Sequence, residues 1–352
     1  MRFRVHSQIA IRRKRSSSGA LAQCGLCKVM NELVSIVIPC FNGAATLRET
    51  VESALGQSHA CKEIIVIDDG STDGSAEVIR AFDDAVRAEF WPNRGASAAR
   101  SRGTEIARGA FIQYLDADDL LAPDALERRV AALAATGGDV AYADWQRLVQ
   151  QGDGAFVPGE RVVRTMEPVD GDRQVACAAT FWAPPAALLY RRRIVDAIGG
   201  WHPGLPVIQD ARFLFDAARA GARFMHVPGI GAYYRVQGND SLSRRDNRAF
   251  VMDVYRNACE IQALWEQDGA LSAARRQALA GIFDYVSRSL FQWGAPEVDD
   301  AFARRRALRR PGEWRYPEVA FALSRLVGAP AARQMMKLLV GAHVRMQRIG
   351  LR

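Results

Sequence analysis

Three short apolar runs, each stopped by a polar loop, constrain this chain more than any other feature. Val34-Ser35-Ile36-Val37-Ile38-Pro39 gives way to Cys40-Phe41-Asn42-Gly43, Ile64-Ile65-Val66-Ile67 to Asp68-Asp69-Gly70-Ser71, and Phe111-Ile112-Gln113-Tyr114-Leu115 to Asp116-Ala117-Asp118-Asp119. Runs this short, bounded by turn residues, read as strands buried on both faces. Between them the period lengthens. Leu47, Val51, Ala54 and Leu55 fall at helical spacing behind a capping box, Thr46-Leu47-Arg48-Glu49, and Asp73 can cap a helix carrying Val78, Ile79 and Phe82. A strand near Val86 to Trp91, a helix through Ala99 and Ile106, a helix opened by Pro123 with Leu126, Val130 and Leu133 on one face, and a strand at Val140-Ala141-Tyr142 continue the alternation. Such alternation over roughly a hundred residues predicts an α/β fold with a mostly parallel sheet and helices on both faces. Ligands of these sheets bind at the C-terminal ends of the strands. The loops after Ile38, Ile67 and Leu115 all lie there, so the pattern alone points to one site.

Beyond this core the reading is coarser. Residues 151–206 mix loops with short strands, and the apolar stretch Cys177 to Tyr190, interrupted by Pro184 and Pro185, reads as a buried strand and is too short to span a bilayer. A helix is expected from Asp210 to Ala220, strands at Arg223 to Val227 and Ala232 to Val236, and mostly helix from Asn247 onward. There Phe250, Val254, Ala258, Ile261 and Leu264 would share one face.

The net charge of +8 is unevenly spread: residues 1–30 contribute +7 and residues 301–352 contribute +10, which leaves −9 on residues 31–300. An acidic middle argues against a nucleic-acid groove and suits a metal held by carboxylates. Among six cysteines, Cys24 and Cys27 form a CxxC that no second pair completes into a zinc site. With no disulfide framework, the chain reads as cytoplasmic with reduced thiols. Arg12-Arg13-Lys14-Arg15 followed by three serines lacks the apolar core of a secretory signal. The expectation is a basic, disordered tail, or a start at Met30. The run Ala303 to Arg310 and the last basic segment, Ala331 to Arg348, suit either contact with anionic lipid or a solvated helical face.

Three motifs carry candidate chemistry. In Asp116-Ala117-Asp118, two carboxylates one residue apart at a strand end can approach one hard cation, Mg²⁺ or Mn²⁺, with a nucleotide diphosphate completing its shell. Such an ion stabilises charge on a leaving diphosphate. Loop or capping aspartates give the same pattern, and Asp119, so close to Pro123, reads as a cap or turn residue. Asp68 or Asp69 can accept from a base N–H or ribose hydroxyls, or can simply hold a capped loop. Asn93-Arg94-Gly95-Ala96-Ser97-Ala98-Ala99-Arg100 opens a helix whose small residues admit a ligand to the backbone, or merely permit close helix–sheet packing. Arg100 can reach a diphosphate or base.

In this order and spacing, the segments Val34 to Asn42, Ile65 to Asp73, Asn93 to Gly103 and Tyr114 to Asp119 resemble glycosyltransferase family 2. The resemblance covers about Leu33 to Leu242. It implies a GT-A fold, Rossmann-like, with a C-terminal helical extension. The division would be a tail at 1–31, a transferase domain at 32–244 (nucleotide-binding half 32–145, acceptor half 146–244) and helices at 245–352. It further implies that Pro39, Phe41 and Asn42, with Asp68 or Asp69 and Arg100, hold the nucleotide. Asp116 would contact the donor's ribose or sugar, and Asp118 would ligate the divalent metal. The family's base lies in a Glu-Asp pair opening a later helix. The matching segment here is Gln209-Asp210, which leaves Asp210 as the carboxylate that takes the acceptor's proton, or as a helix cap. Trp201, His202, Tyr233, Tyr234 and Arg235 fall in the acceptor region, where aromatic rings stack on sugar or fill core. His226 reads as a satisfied core residue, with metal ligation the lesser alternative.

The implied function is inverting transfer of a sugar from a nucleoside-diphosphate sugar to a glycan or lipid-linked acceptor hydroxyl in cell-surface glycan synthesis. The setting would be cytoplasmic, with peripheral contact at the inner face of the cytoplasmic membrane and no nucleic-acid partner. Nucleotidyl transfer is the competing enzyme class, but Cys40-Phe41-Asn42-Gly43 lacks the basic residue such a phosphate loop wants. Glycoside hydrolysis would need no nucleotide, and a non-catalytic membrane-associated scaffold would bind nucleotide without turnover.

Overall fold

The computed structural model describes residues 32–236, 246–269 and 271–308. The N-terminal tail with its CxxC and the basic segment 309–352 lie outside the described residues.

Nine strands form one sheet in the order β3-β2-β1-β4-β8-β6-β9-β5, with β7 on β6. The first half is β1 (Val34–Cys40), β2 (Lys62–Asp68), β3 (Arg87–Phe90) and β4 (Phe111–Tyr114), paired in parallel throughout. Their crossovers are α1 (Leu47–Leu55), α2 (Ser75–Arg80) and α3 (Ala96–Ile106). All of β1 is buried, as expected for a strand covered on both faces. Register brings the loops together: Cys40 pairs with Asp68, Asp68 with Phe90, and Val37 with Tyr114. The three polar loops therefore leave the sheet side by side.

The second half comprises β5 (Leu120–Leu121), α4 (Ala125–Thr136), β6 (Val140–Gln150), β7 (Phe156–Val162), α5 (Arg173–Ala179), β8 (Leu188–Arg191), α6 (Arg192–Ile198), α7 (Gln209–Arg219) and β9 (Phe224–Val236). Strand β8 runs antiparallel to both β4 and β6, and β9 lies parallel to β6. Strands β3, β2, β1, β4, β6 and β9 thus share one direction and only β8, β5 and β7 oppose it, so the sheet is mostly parallel.

Several sequence expectations need correction. The two strands foreseen at Arg223–Val227 and Ala232–Val236 are one strand, kinked where its pairing with β6 shifts around Asp144 and Gly229 adopts φ 102°. The apolar stretch from Cys177 is the end of α5, a Pro-containing turn and β8, because two prolines cannot sit inside a central strand. Helices α5 and α6 fall in a region read as loops and strands. The capping box is not formed: Thr46 makes no cap bond, and its hydroxyl instead donates to the Ala117 carbonyl at 3.0 Å.

The C-terminal helices are α8 (Asn247–Gln267), α9 (Ala273–Trp293) and α10 (Val298–Ala307). The buried face of α8 carries Val251, Ala258, Ile261 and Trp265, partly offset from the stripe read in sequence. Trp265 is fully buried, edge-on to Phe215 of α7 at 5.8 Å, with its indole N–H on Gln174 Oε1 at 2.7 Å. One hydrophobic core therefore runs from the sheet into α8 and α9. Of the Arg304-Arg305-Arg306 run, Arg305 is buried and ion-paired with Asp284, and Arg304 pairs with Asp300. Of that run's charge, only that of Arg305 is buried. No helix among the described residues is long and apolar enough to cross a membrane.

Gly109 sits where a side chain cannot. A Cβ there would lie 2.6 Å from the Ser35 nitrogen and 2.7 Å from the Leu33 oxygen, both backbone atoms of the chain entering and starting β1. Gly109→Ala is expected to destabilise by roughly 1–3 kcal/mol in denaturant unfolding, because β1 must shift.

Candidate functional site

The first loop is locked to the second. Asn42 adopts φ 52°, a conformation asparagine tolerates. Its N–H donates to Ser71 Oγ at 2.9 Å and its Oδ1 accepts from the Thr72 N–H at 2.8 Å. Gly43 N–H donates to Ser75 Oγ at 2.9 Å, and Ala44 N–H to Asp73 Oδ2 at 3.0 Å. Pro39 is buried in β1 and shapes the strand end. Phe41, 52% exposed, holds an apolar ring out at the mouth.

Asp68 and Asp69 are buried and have separate tasks. Asp68 Oδ1 accepts from the N–H and hydroxyl of Ser71 at 3.2 and 2.5 Å, closing its own turn. Asp69 accepts from Arg94 N–H at 2.8 Å and Gly95 N–H at 2.7 Å. Both of its oxygens are thus used to anchor the loop before α3, so Asp69 organises the site through that loop.

Arg100, on α3, is buried and pairs through Nη2 with Asp116 Oδ1. Its guanidinium lies 4.6 Å from the ring centre of Trp201, which stacks on Phe213 at 4.2 Å. Nε and Nη1 of Arg100 are buried with no protein partner among the described residues. Buried donors without partners are costly, and anionic ligand oxygens would satisfy them.

The acidic loop is gripped from β9. Arg235 N–H donates to Asp119 Oδ1 at 3.0 Å, its Nη1 donates to the Asp118 carbonyl at 2.9 Å, and its Nη2 pairs with Glu49 on α1. Asp119 makes no helix cap; it is buried, and its Oδ2 has no partner among the described residues. Burial, then Asp118 and Asp116, hold its carboxyl well above the usual range. Burial first and Asp116 second push Asp118 up to about 6. Crowded carboxylates with raised pKa values are what a divalent cation relieves. No three or more His, Cys, Asp or Glu side chains among the described residues form a metal cage by themselves. Asp116 is turned to Arg100 and Asp119 to Arg235, which leaves Asp118 as the carboxylate best suited to a metal. A donor set of one carboxylate with phosphate oxygens fits Mg²⁺ or Mn²⁺.

Asp210 stands in the first turn of α7. Its Oδ1 accepts from the next N–H, Ala211, at 2.8 Å, and its Oδ2 from the Trp182 indole N–H at 2.7 Å. Burial dominates and raises its pKa, opposed by those two donors and by Arg100. Gln209 is buried, accepts from Ser97 Oγ at 2.5 Å and donates to the Pro206 carbonyl at 3.1 Å, tying α7 to α3. Tyr234 brings the two sides together: burial raises its phenol pKa, and Asp119, Asp116, Asp118 and Asp210 all raise it further. Its ring meets Trp182, the donor to Asp210, at 6.1 Å, and its neighbour Arg235 grips Asp118 and Asp119, so the acidic loop and Asp210 are linked through this part of β9. His226 is tied through Nε2 to Asp144 at 2.8 Å and stacks on Tyr142, and His202 faces Glu260 at 3.1 Å.

The Glycosyl transferase family 2 profile matches residues 35–199. The succinoglycan biosynthesis protein ExoU of Rhizobium meliloti is 31% identical over 259 residues, which cover 69% of this chain and 70% of that protein. The chain belongs to glycosyltransferase family 2. An uncharacterized family relative from Haemophilus influenzae is 40% identical over 121 residues, 32% of this glycosyltransferase and 48% of the relative. YibD of Escherichia coli is 29% identical over 60% of this chain and 66% of its own length. The chain thus spans about half to two thirds of these two curated relatives. Staphylococcus aureus TarS 1–349, solved in complex with UDP-GlcNAc, superposes with a TM-score of 0.54 at 15% identity, covering 79% of this chain and 89% of that one. That likeness shows the fold, of GT-A type.

Sequence reasoning did not find Trp182, the partner of Glu49 or the grip of Arg235 in this chain. Trp182 lies in a Pro-rich stretch 28 residues from its partner, and Glu49 is 186 residues from Arg235. Contacts this distant have no local signal.

Proposed function

We propose that the chain transfers a sugar from a nucleoside-diphosphate sugar to an acceptor hydroxyl with inversion, in cell-surface glycan or glycolipid synthesis. One observation supports this reading: Trp182, which bonds Asp210, meets the ring of Tyr234, whose neighbour Arg235 grips Asp118 and Asp119. The donor's base would lie against Phe41 and the loop of Asn42. The two unpartnered nitrogens of Arg100 would take diphosphate oxygens, while Asp116 shares its charge between Arg100 and the ribose or sugar hydroxyls. Asp118 would hold a divalent metal, which when bound supplies positive charge against the diphosphate. Asp210 accepts the proton of the acceptor hydroxyl as that oxygen bonds to the anomeric carbon. The bond from that carbon to the diphosphate oxygen breaks on the opposite face, so the configuration inverts and a nucleoside diphosphate leaves. That the fold neighbour TarS binds UDP-GlcNAc and that the relative ExoU serves succinoglycan biosynthesis both accord with this assignment.

The test is to identify the small product formed from a panel of nucleotide sugars with Mn²⁺ and a membrane extract as acceptor. Release of nucleoside diphosphate supports the proposal. Sugar 1-phosphate would indicate nucleotidyl transfer instead, and free sugar beside the nucleoside diphosphate, with none on the acceptor, would indicate hydrolysis.

The basic segment 309–352 suits peripheral contact with anionic lipid at the inner face of the cytoplasmic membrane. Sedimentation with acidic vesicles at low salt, lost at high salt, is expected. No binding at low salt would remove that part of the proposal.

A further inference from the structure

We propose that Trp182 is a positioning residue for the base: its indole N–H holds Asp210 in the ionised, correctly aimed state that takes the acceptor's proton. The inference rests on Asp210 being that base.

The geometry is specific. The indole nitrogen lies 2.7 Å from Asp210 Oδ2, while Oδ1 is held by the Ala211 N–H at 2.8 Å. One donor comes from the carboxylate's own helix and the other from the segment leading to β8. Together they fix the rotation of the carboxylate about its χ2 axis, a soft torsion that would otherwise be broad. The tryptophan is itself held. Its ring meets Trp145 edge-on at 6.0 Å and Tyr234 edge-on at 6.1 Å, and Trp145 is buried.

The choice of indole matters chemically. It donates and never accepts. A serine, asparagine or histidine at this place could rotate or change tautomer to accept from a protonated Asp210. Indole cannot, so it favours the carboxylate alone. That opposes burial, which pushes Asp210 toward its neutral form. The other groups around Asp210 are Arg100, which favours the charged form, Asp116, which disfavours it, and the phenols of Tyr190 and Tyr234. Among the described residues, Trp182 is the side chain that hydrogen-bonds the carboxylate directly.

The test is Trp182→Phe, which keeps an aromatic ring against Trp145 and Tyr234 and removes the N–H. A net hydrogen bond of about 0.5–1.5 kcal/mol corresponds to an upward move of the acid limb of kcat/KM by roughly 0.5–1 pH unit, with donor KM unchanged. An acid limb that stays in place in a folded variant overturns the proposal. A second readout needs no Trp182 variant to fold. In the intact wild-type protein one indole N–H resonance should titrate with the acid limb, and it should stop titrating in Asp210→Asn. Titration that persists in Asp210→Asn, or no titrating indole, also overturns it. Asp210→Asn separates the two claims. If that variant keeps wild-type turnover, the assignment of the base falls. If it is inactive while Trp182→Phe leaves the acid limb unmoved, only the role of Trp182 falls.

Discussion

Asp210→Asn lowers kcat by roughly 10²–10⁴-fold, the usual contribution of a positioned base, while nucleotide affinity stays near wild type. The separation follows from the architecture. The donor is assigned to loops at the ends of β1, β2 and β4, whereas Asp210 opens α7, and its hydrogen bonds go to Ala211 and Trp182, not to those loops. Removing the charge of Asp210 therefore removes the proton acceptor without touching the nucleotide loops. The pH dependence has a definite sign. Burial raises the pKa of Asp210, and the base works only when ionised. Turnover should then rise with pH through a value above the ordinary carboxylate range and be lost below it. Steady-state kinetics of both proteins across pH, with nucleotide affinity measured separately, checks this. A variant with nearly full kcat, or one that loses nucleotide binding in proportion, contradicts the assignment.

Asp118→Asn has two opposite effects that together identify a site strained for function. In the ligand-free protein, burial and Asp116 raise Asp118 from 3.8 to about 6. An acid with a raised folded-state pKa costs stability once ionised. The unfolded chain ionises it from about pH 4, the folded one only near pH 6, so wild type loses stability across that window and the asparagine variant does not. Above it the variant should be more stable by on the order of 1–3 kcal/mol, and at pH 4 the two should nearly coincide. With Mn²⁺ and nucleotide the order should reverse, because only wild type keeps the carboxylate proposed to hold the metal. Thermal melts at pH 4 and pH 8, with and without ligand, show both effects. A variant that is less stable at pH 8 without ligand contradicts the strain, and one that keeps metal-dependent stabilisation contradicts the ligand role.

Legibility in the sequence followed the range of the interactions. Strands β1, β2 and β4 were readable because burial on both faces writes an unbroken apolar run. Their loops were readable because Asn42, Gly70 and the Asp116–Asp119 run are turn and carboxylate residues that local chemistry explains. The second half was harder. Strand β9 was split in two because Pro228, Gly229 and Gly231 mark its kink as a break, and only pairing with β6 keeps it continuous. Thr46 was misread as a helix cap, and of the cap or turn read for Asp119 only the turn is formed, its N–H on the Asp116 carbonyl; the side-chain partners, the Ala117 carbonyl and the Arg235 N–H, are 71 and 116 residues away. Asp69 shows the same limit from the other side. Its sequence suggests a ligand contact, and only the fold shows that each oxygen also accepts a backbone N–H of the loop it anchors. Trp182 was missed entirely, because its significance depends on the placement of α7 against the sheet.

The most direct measurement is the thermal stability of the purified chain with UDP, GDP and dTDP, each with and without Mn²⁺. A nucleotide at a hundred times its dissociation constant should add about 2.7 kcal/mol of stability. Stabilisation by one nucleoside diphosphate, dependent on Mn²⁺, is the predicted result and names the donor's base. Absence of stabilisation by any nucleotide, with or without metal, would contradict the assignment of a nucleotide-sugar site to these strand ends.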